Sequence, residues 1–265
     1  MPGLAQPTRK ERRDAARRER VDREATLAAA ATRHRRRTRL GAVLAGAALV
    51  VALLVVVSAS GSGSGTKTAS RTAVSGPVAG ARESAAMLSG VPQHGLTLGS
   101  ANAPVRVIEF ADLQCPFCRD YSLSTMPQLV RDYVRPGKVR MEFRSLAFIG
   151  PDSVSAARVA QAAGEQNKLW NFVDVAYHNQ GKENSGWATD AVLRRLAAAV
   201  PGLDVNSAFA ARNSAAVTAQ LNAANTLATS SGVNSTPTFL VGRGTSLKAV
   251  DAAGLPAAIK AAVGR

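Results

Sequence analysis

The segment VRVIEFADLQCPFCRDY, residues 105–121, decides the fold because it sets two cysteines between a strand and a helix. Its first part, VRVIEF, is a short β-branched run that predicts a buried strand. The stretch that follows, residues 115–134, has apolar residues at mostly helical spacing and predicts a helix. Cys115 and Cys118 therefore open a helix directly behind a strand.

The flanking sequence extends this unit into an α/β fold. Pro127 is expected to kink the helix, and KVRMEFRSL, residues 138–146, predicts a second strand. A strand, a helix and a strand in this order predict parallel strands joined by a crossover. The pattern is helical from about residue 152 to 229. The remaining predicted elements are two short strands and a last helix: TPTFLV (236–241), SLKAV (246–250) and Leu255–Val263.

A C-x-x-C pair at the start of a helix suits thiol–disulfide exchange. The spacing lets two sulfurs approach within bonding distance across one helical turn. Cys115 would lie at the helix amino terminus, where free N–H groups and the macrodipole stabilise a thiolate. Pro116 fits the first helical position, since its missing N–H costs nothing there. Cys118, one turn further in, is then the resolving thiol.

Two other interpretations of the pair are open. It could be half of a structural zinc site, or it could form an inert structural disulfide. A tetrahedral zinc site needs about four ligands. The chain has no other cysteine, and its histidines are His34, His94 and His178. The position of the motif behind a strand favours redox chemistry over both alternatives.

The amino-terminal part predicts a membrane-anchored topology. Residues 1–39 are Arg-rich and predict a disordered cytoplasmic tail, and the uncharged apolar run 40–57 predicts a single transmembrane helix. The cluster Arg33 to Arg39 before this run places the carboxyl-terminal body outside. Cleavage after Ala59 would instead make the run a signal peptide, but its apolar core exceeds the usual length of about 7–15 residues. Residues 58–95, rich in Ser and Gly, predict a flexible linker.

The formal net charge of +15 is concentrated in this tail, so it does not indicate a nucleic-acid-binding domain. The 265 residues suffice for one sizeable domain with appendages. No phosphate-binding loop, serine triad or paired-carboxylate motif occurs, and neither a cofactor nor a metal is expected.

Four segments resemble the DsbA-like branch of the thioredoxin superfamily. They are EFADLQCPFCRDY (109–121), GKVRMEFRSL (137–146), AGEQNKLW (163–170) and GVNSTPTFLV (232–241). The resemblance covers residues 96–265. It implies a thioredoxin-like fold with an inserted helical subdomain at about 152–229.

The resemblance also implies further site residues. In that family a cis Thr–Pro peptide stands beside the active cysteines, which would place Thr236 and Pro237 against Cys115. The backbone of Thr236 could then pair with an extended substrate segment. Glu109 matches an acidic residue that often lies beneath the active site, where a raised pKa would suit proton exchange with Cys118. A glutamate in a strand can equally face solvent.

The function expected is donation of disulfides to exported proteins that carry thiols, since disulfides form outside the cytoplasm. Reoxidation would need a membrane partner, a DsbB-like or vitamin K epoxide reductase-like protein by resemblance. Pro116 and Phe117 stand between the cysteines, where strongly oxidising relatives often carry a histidine. A reductase or isomerase of exported proteins is therefore an alternative, and a non-catalytic, membrane-tethered binding module is another.

Overall fold

The computed structural model describes residues 77–264. This part contains one mixed sheet in the strand order β1-β2-β4-β3-β5-β6. The strands are β1 (Gln93–His94), β2 (Thr97–Leu98), β3 (Val105–Ala111), β4 (Val139–Ser145), β5 (Thr238–Arg243) and β6 (Ser246–Val250).

The central strands β3, β4 and β5 position the cysteines. β3 and β4 run parallel with Val105 opposite Val139, as the strand–helix–strand order predicts. β3 and β5 run antiparallel, with Glu109 opposite Phe239 and Phe110 opposite Thr238. The carboxyl end of β3 and the amino end of β5 therefore meet at one edge of the sheet. The loop after β3 and the loop before β5 converge there.

Nine helices and one π-helical turn complete the described part. They are α1 (Ala81–Leu88), α2 (Pro116–Ser124), α3 (Met126–Leu129), the π-helical turn Val130–Val134, α4 (Pro151–Glu165), α5 (Leu169–His178), α6 (Asp190–Ala198), α7 (Val205–Ala211), α8 (Ala215–Ser230) and α9 (Leu255–Val263).

Pro127 interrupts the helix that follows the cysteines. Thr125 separates α2 from α3 with a φ of −103°. Proline has no N–H with which to bond the carbonyl of Leu123, so an unbroken helix cannot continue through this position. The helix is interrupted two residues before Pro127, and the chain proceeds through the π-helical turn to β4.

The helical insertion predicted at about 152–229 is confirmed. Helices α4 to α8 lie between β4 and β5. Polar side chains start three of them, since Thr189, Asp204 and Ser214 each accept a hydrogen bond from a backbone N–H in the first turn of α6, α7 and α8. These bonds satisfy donors that have no partner inside the helix.

Helix α5 joins the insertion to the sheet. Its residues from Leu169 to Tyr177 are all buried, so the helix presents no solvent-facing stripe. Trp170 packs edge-on against Phe143 of β4 with ring centroids 5.7 Å apart. On another part of the sheet, Ile108 and Leu240 share a smaller apolar cluster with Ala228 of α8.

The linker predicted for residues 58–95 is too long. Helix α1 and strand β1 both lie inside that range. Leu88 and Val91 are buried in the main core, and the Arg135 guanidinium donates hydrogen bonds to the carbonyl oxygens of Ser89 and Met87. The prediction was wrong because these stabilising contacts are made with distant parts of the chain.

The predicted tail, residues 1–39, and the predicted membrane helix, residues 40–57, lie outside the described residues. Across residues 77–264, none of the helices combines the length and the apolar character needed to span a bilayer.

Candidate active site

The loop after β3 holds Cys115 at the start of α2. The Cys115 N–H donates to the carbonyl oxygen of Asp112 at 3.0 Å, which closes the turn. Cys115 is the residue that caps α2, in an extended conformation, and Pro116 takes the first helical position. The cysteine sulfur thus lies where the unpaired N–H groups of the first helical turn point.

The two thiols have opposite acidities. The pKa of Cys115 falls from 9.0 to about 6, chiefly because the Cys118 thiol can hydrogen-bond to its sulfur. Burial opposes this fall, while the Thr236 side chain and the backbone N–H groups of Cys118 and Phe117 add to it. Cys118 is fully buried, and burial raises its pKa far above the ordinary value. Cys115 is therefore the thiolate at neutral pH.

Thr236 and Pro237 stand against Cys115. The peptide bond between them is cis, and the Thr236 carbonyl oxygen lies 3.4 Å from the Cys115 sulfur, from which it accepts a hydrogen bond when Cys115 is protonated. Both residues lie directly before β5, whose pairing with β3 brings them to the active edge. The structure thus places both residues where the family resemblance implied.

Glu109 is buried beneath this edge. The residue is 2% exposed, and its Oε2 has no hydrogen-bond partner among the described residues. Burial raises the pKa of Glu109 from 4.5 to about 8. The alternative in which this glutamate faces solvent is wrong, because β3 is covered on both faces at this position.

The side chains of Tyr121 and Tyr177 lie near both Glu109 and Cys118. Burial raises the pKa of each phenol well above 10, and the charges of both Glu109 and Cys118 raise it further. Each ring therefore lies within electrostatic range of both groups. Tyr121 also packs on Phe239 with ring centroids 4.7 Å apart, which ties α2 to β5.

Asp112 organises the cysteine loop and was not identified from the sequence. Its carbonyl oxygen accepts hydrogen bonds from the Cys115 N–H and from the Tyr177 hydroxyl at 3.3 Å. Its carboxylate accepts from the backbone N–H groups of Gln114, Phe148 and Ile149. An aspartate that bonds to the N–H two residues ahead is a common turn signal, and it was available in the sequence.

Gln180 supports the same loop from beyond α5. Its Nε2 donates to the carbonyl oxygens of Leu113 at 2.9 Å and Cys115 at 3.0 Å. No local sequence signal marks this glutamine, because its partners lie 67 and 65 positions away.

Exposed aromatic side chains and a groove lie near the start of α2. Phe117 is 71% exposed, and Phe148 is also exposed. A groove of about 450 Å³ runs past Phe117, Tyr121 and the Thr236–Pro237 peptide. Exposed aromatic rings beside a reactive group are typical of sites that bind other chains.

Metal binding finds no support in the described part of the chain. Between residues 77 and 264, His, Cys, Asp and Glu side chains form no group of three or more that could hold an ion. Both cysteines are free thiols, and their polar neighbours are Thr236 and peptide groups.

The comparisons with known proteins identify the family and support the fold. A family model described as thioredoxin matches residues 92–261. The chain is 30% identical to a thioredoxin-like oxidoreductase from Silicibacter pomeroyi, over 69% of this chain and 98% of that one, with a TM-score of 0.53. The oxidised BdbD structure from Bacillus subtilis has the same fold, with a TM-score of 0.58 and 22% identity over 66% of this chain and 98% of that one.

Among curated proteins, a probable disulfide bond formation protein D of Bacillus cereus is 38% identical over 112 residues. The match covers 41% of this chain and 52% of that protein. The chain spans about half the length of the curated relatives it matches.

Proposed function

Because the chain belongs to the thioredoxin family, we propose that it is a thiol–disulfide oxidoreductase that donates disulfides to exported proteins through Cys115 and Cys118. One observation carries the proposal. A nearly buried cysteine with a pKa of about 6 stands one helical turn before a cysteine that burial keeps protonated. Such a pair divides the roles of attacking and resolving sulfur.

Exposure decides which sulfur a substrate reaches. Cys115 is 4% exposed and lies beside the groove, whereas Cys118 has no exposed surface. A substrate thiolate therefore attacks the oxidised pair at Cys115. The Thr236 backbone at the rim of the groove suits pairing with an extended substrate segment.

Transfer of the disulfide takes two steps. In the first, a substrate thiolate attacks the Cys115 sulfur, the Cys115–Cys118 bond breaks, and Cys118 leaves as a thiolate that takes up a proton. In the second, another substrate thiolate attacks the substrate sulfur of the mixed disulfide, and Cys115 leaves as a thiolate. The substrate loses two electrons and the cysteine pair gains two.

Glu109 is the proposed proton donor to Cys118. At pH 7 a carboxyl group with a pKa of about 8 carries a proton that it can donate, and the rings of Tyr121 and Tyr177 lie within electrostatic range of both Glu109 and Cys118. In the reverse reaction the Glu109 carboxylate accepts the proton that Cys118 loses before it attacks a mixed disulfide.

The stable thiolate favours the oxidising direction. A thiolate exists only in the reduced protein, so whatever stabilises it favours reduction of the pair and makes the disulfide a stronger oxidant. Here hydrogen bonds with the Cys118 thiol, Thr236 and peptide N–H groups lower the pKa without a histidine between the cysteines. This supports donation of disulfides over reduction, which is the alternative function.

The proposed setting is the outer face of the cell membrane. The apolar run 40–57 would anchor the chain with its amino terminus in the cytoplasm, and the Arg cluster before it supports this orientation. A DsbB-like or vitamin K epoxide reductase-like membrane protein is proposed to reoxidise the pair.

Oxidation of a reduced dithiol peptide tests the function. The oxidised full-length chain should convert the peptide to its disulfide with one equivalent of peptide per Cys115–Cys118 pair, and Cys115→Ser should abolish this transfer. A wild-type chain that transfers no disulfide would leave the non-catalytic binding module as the better interpretation.

A further inference from the structure

A small cavity lies beside Glu109 of β3 and is lined by residues of the helices α1, α2, α3 and α5. Its volume is about 10 Å³, roughly the space that one water molecule requires. Its polar lining residues are Glu109, Ser122 and Asp174, and its apolar lining comes from α1, α3 and α5. Two acidic side chains on different elements thus line one small cavity.

One carboxyl oxygen of Glu109 lacks a hydrogen-bond partner among the described residues. This atom, Oε2, is buried, and leaving such a group unbonded costs about 1–3 kcal/mol. A water in the cavity would satisfy that oxygen. Asp174 lines the same cavity, so that water would lie between the two carboxyl groups.

Asp174 of α5 connects the cavity to the surface. It is buried, and the side chains of Ser84 and Ser122 lie close enough to its carboxyl group to lower the pKa of that group. The Nε2 of His178 lies 3.8 Å from Asp174 Oδ2, and the His178 side chain is 27% exposed. Glu83 of α1 also faces this carboxyl group, and Arg or Lys side chains are not among the groups that influence it.

We propose that Asp174 is the residue through which Glu109 exchanges its proton with solvent, with a water in the cavity on one side and His178 on the other. The inference rests on the proposed function, and it adds a path that the two cysteines and Glu109 do not themselves provide. Asp174 is a relay residue in this account, since it touches neither substrate nor sulfur.

Resolution of a mixed disulfide by Cys118 requires a path by which Glu109 can release its proton to solvent. In the reduced protein at neutral pH, Glu109 holds a proton, so it cannot accept a second one from Cys118. The carboxyl must first release its proton to solvent, after which Cys118 transfers its proton to Glu109 and attacks the mixed disulfide. When the disulfide is reduced, the same path returns a proton to Glu109.

The acidity of Asp174 fits a relay. Burial raises its pKa from 3.8 to about 6, His178 and the two serines lower it, and Glu83 raises it. Asp174 is therefore mostly ionised at pH 7 and can accept a proton from Glu109. A carboxyl group near pH 6 also releases the proton readily to solvent.

The test is a quenched-flow reaction of the reduced full-length chain with excess oxidised glutathione, with acid quenching and mass analysis. Formation of the Cys115–glutathione mixed disulfide and its resolution by Cys118 are measured separately from pH 5 to pH 9. In Asp174→Asn, resolution at pH 7 should slow by about tenfold, less than the loss of a direct general base, while formation stays at the wild-type rate. Ser122→Ala, which keeps the carboxyl but removes a side chain that lowers its pKa, should shift the midpoint of the resolution profile.

Asp190→Asn is the matched control, because Asp190 lies on the surface and pairs with Arg212. It should leave both rates unchanged. Wild-type resolution in Asp174→Asn across the whole pH range would overturn the relay, and so would an equal slowing of formation and resolution. If the wild-type chain itself forms no mixed disulfide, the proposed function fails instead.

Discussion

The thiol of Cys115 lies 3.4 Å from the carbonyl oxygen of Thr236, although 121 positions separate the two residues. The antiparallel pairing of β3 with β5 produces this proximity, because it brings the loop before β5 to the carboxyl end of β3. A substrate chain that reaches Cys115 must therefore pass the Thr236 backbone. Sulfur chemistry and chain recognition occur at one place.

Replacement of the resolving cysteine should trap the intermediate. In Cys118→Ser, Cys115 keeps its position at the helix start and can still react with a disulfide, but no second thiol can release the product. A mixed disulfide with glutathione should accumulate and persist, as measured by mass analysis. Cys115→Ser is the matched control, and persistent adducts on that variant would mean that Cys118 is the attacking sulfur.

In the wild-type protein, the rate at which iodoacetamide alkylates Cys115 should rise with pH, with a midpoint near pH 6. The lowered pKa means that most of this thiol is ionised at pH 7, whereas an ordinary cysteine is not. In Cys118→Ala the same rate should also rise with pH to a plateau. Since the Cys118 thiol is the largest cause of the lowered pKa, the midpoint in this variant should be higher than in the wild-type protein. Equal midpoints would contradict that cause.

The same shift makes the stability of the reduced protein depend on pH. A thiol whose pKa is lowered on folding contributes stability that is present above pH 9 and is lost as the pH falls through about 6. The melting temperature of the reduced wild-type protein, relative to Cys115→Ala, should therefore increase between pH 6 and pH 9. A constant difference over this range would show that the thiolate is not stabilised by the fold.

The contribution of Glu109 to stability should depend on pH in the opposite direction, since it decreases as the pH rises. Its pKa is raised on folding, so its favourable contribution is complete below about pH 4.5 and disappears as the pH rises through about 8. Glu109→Gln cannot ionise and should be more stable than the wild-type protein at pH 9, with little difference at pH 4. Thermal melts at the two pH values measure this, and a variant that loses stability equally at both would contradict the buried, uncharged state of Glu109.

Helix α1 should contribute to the stability of the domain. Leu88 is buried against the core, and truncation of a buried leucine to alanine costs about 2–5 kcal/mol. Leu88→Ala should lower the free energy of unfolding by an amount in this range in a urea titration. Arg82→Ala, on the exposed face of the same helix, is the control and should change it by less than about 0.5 kcal/mol.

Local patterns in the sequence predict the strands and helices around the cysteines well. The strand before the cysteines, the helix they open and the final helix follow from periodicity and from proline positions, which act over a few residues. Thr236 was placed beside Cys115 by family resemblance, since no local signal links positions so far apart. Glu109 was ambiguous because β3 is buried on both faces, which removes the alternation that tells an inward side chain from an outward one.

The remaining site residues depend on tertiary contacts. Asp174 acquires its role from the serines and the histidine around it, and these come from three helices. Helix α1 was assigned to a linker because the Ser- and Gly-rich composition that begins at residue 58 continues through Pro77 and Gly80. A helix of eight residues is also too short to be stable in isolation. Packing on the core stabilises it, and the sequence does not display that packing.

A redox titration of the Cys115–Cys118 pair in glutathione buffers measures how strongly this protein oxidises other thiols. We expect a reversible two-electron transition with a reduction potential between about −120 and −200 mV, because the stabilised thiolate makes the disulfide a strong oxidant. A potential near about −270 mV or below, or a pair that does not exchange with glutathione at all, would contradict this expectation.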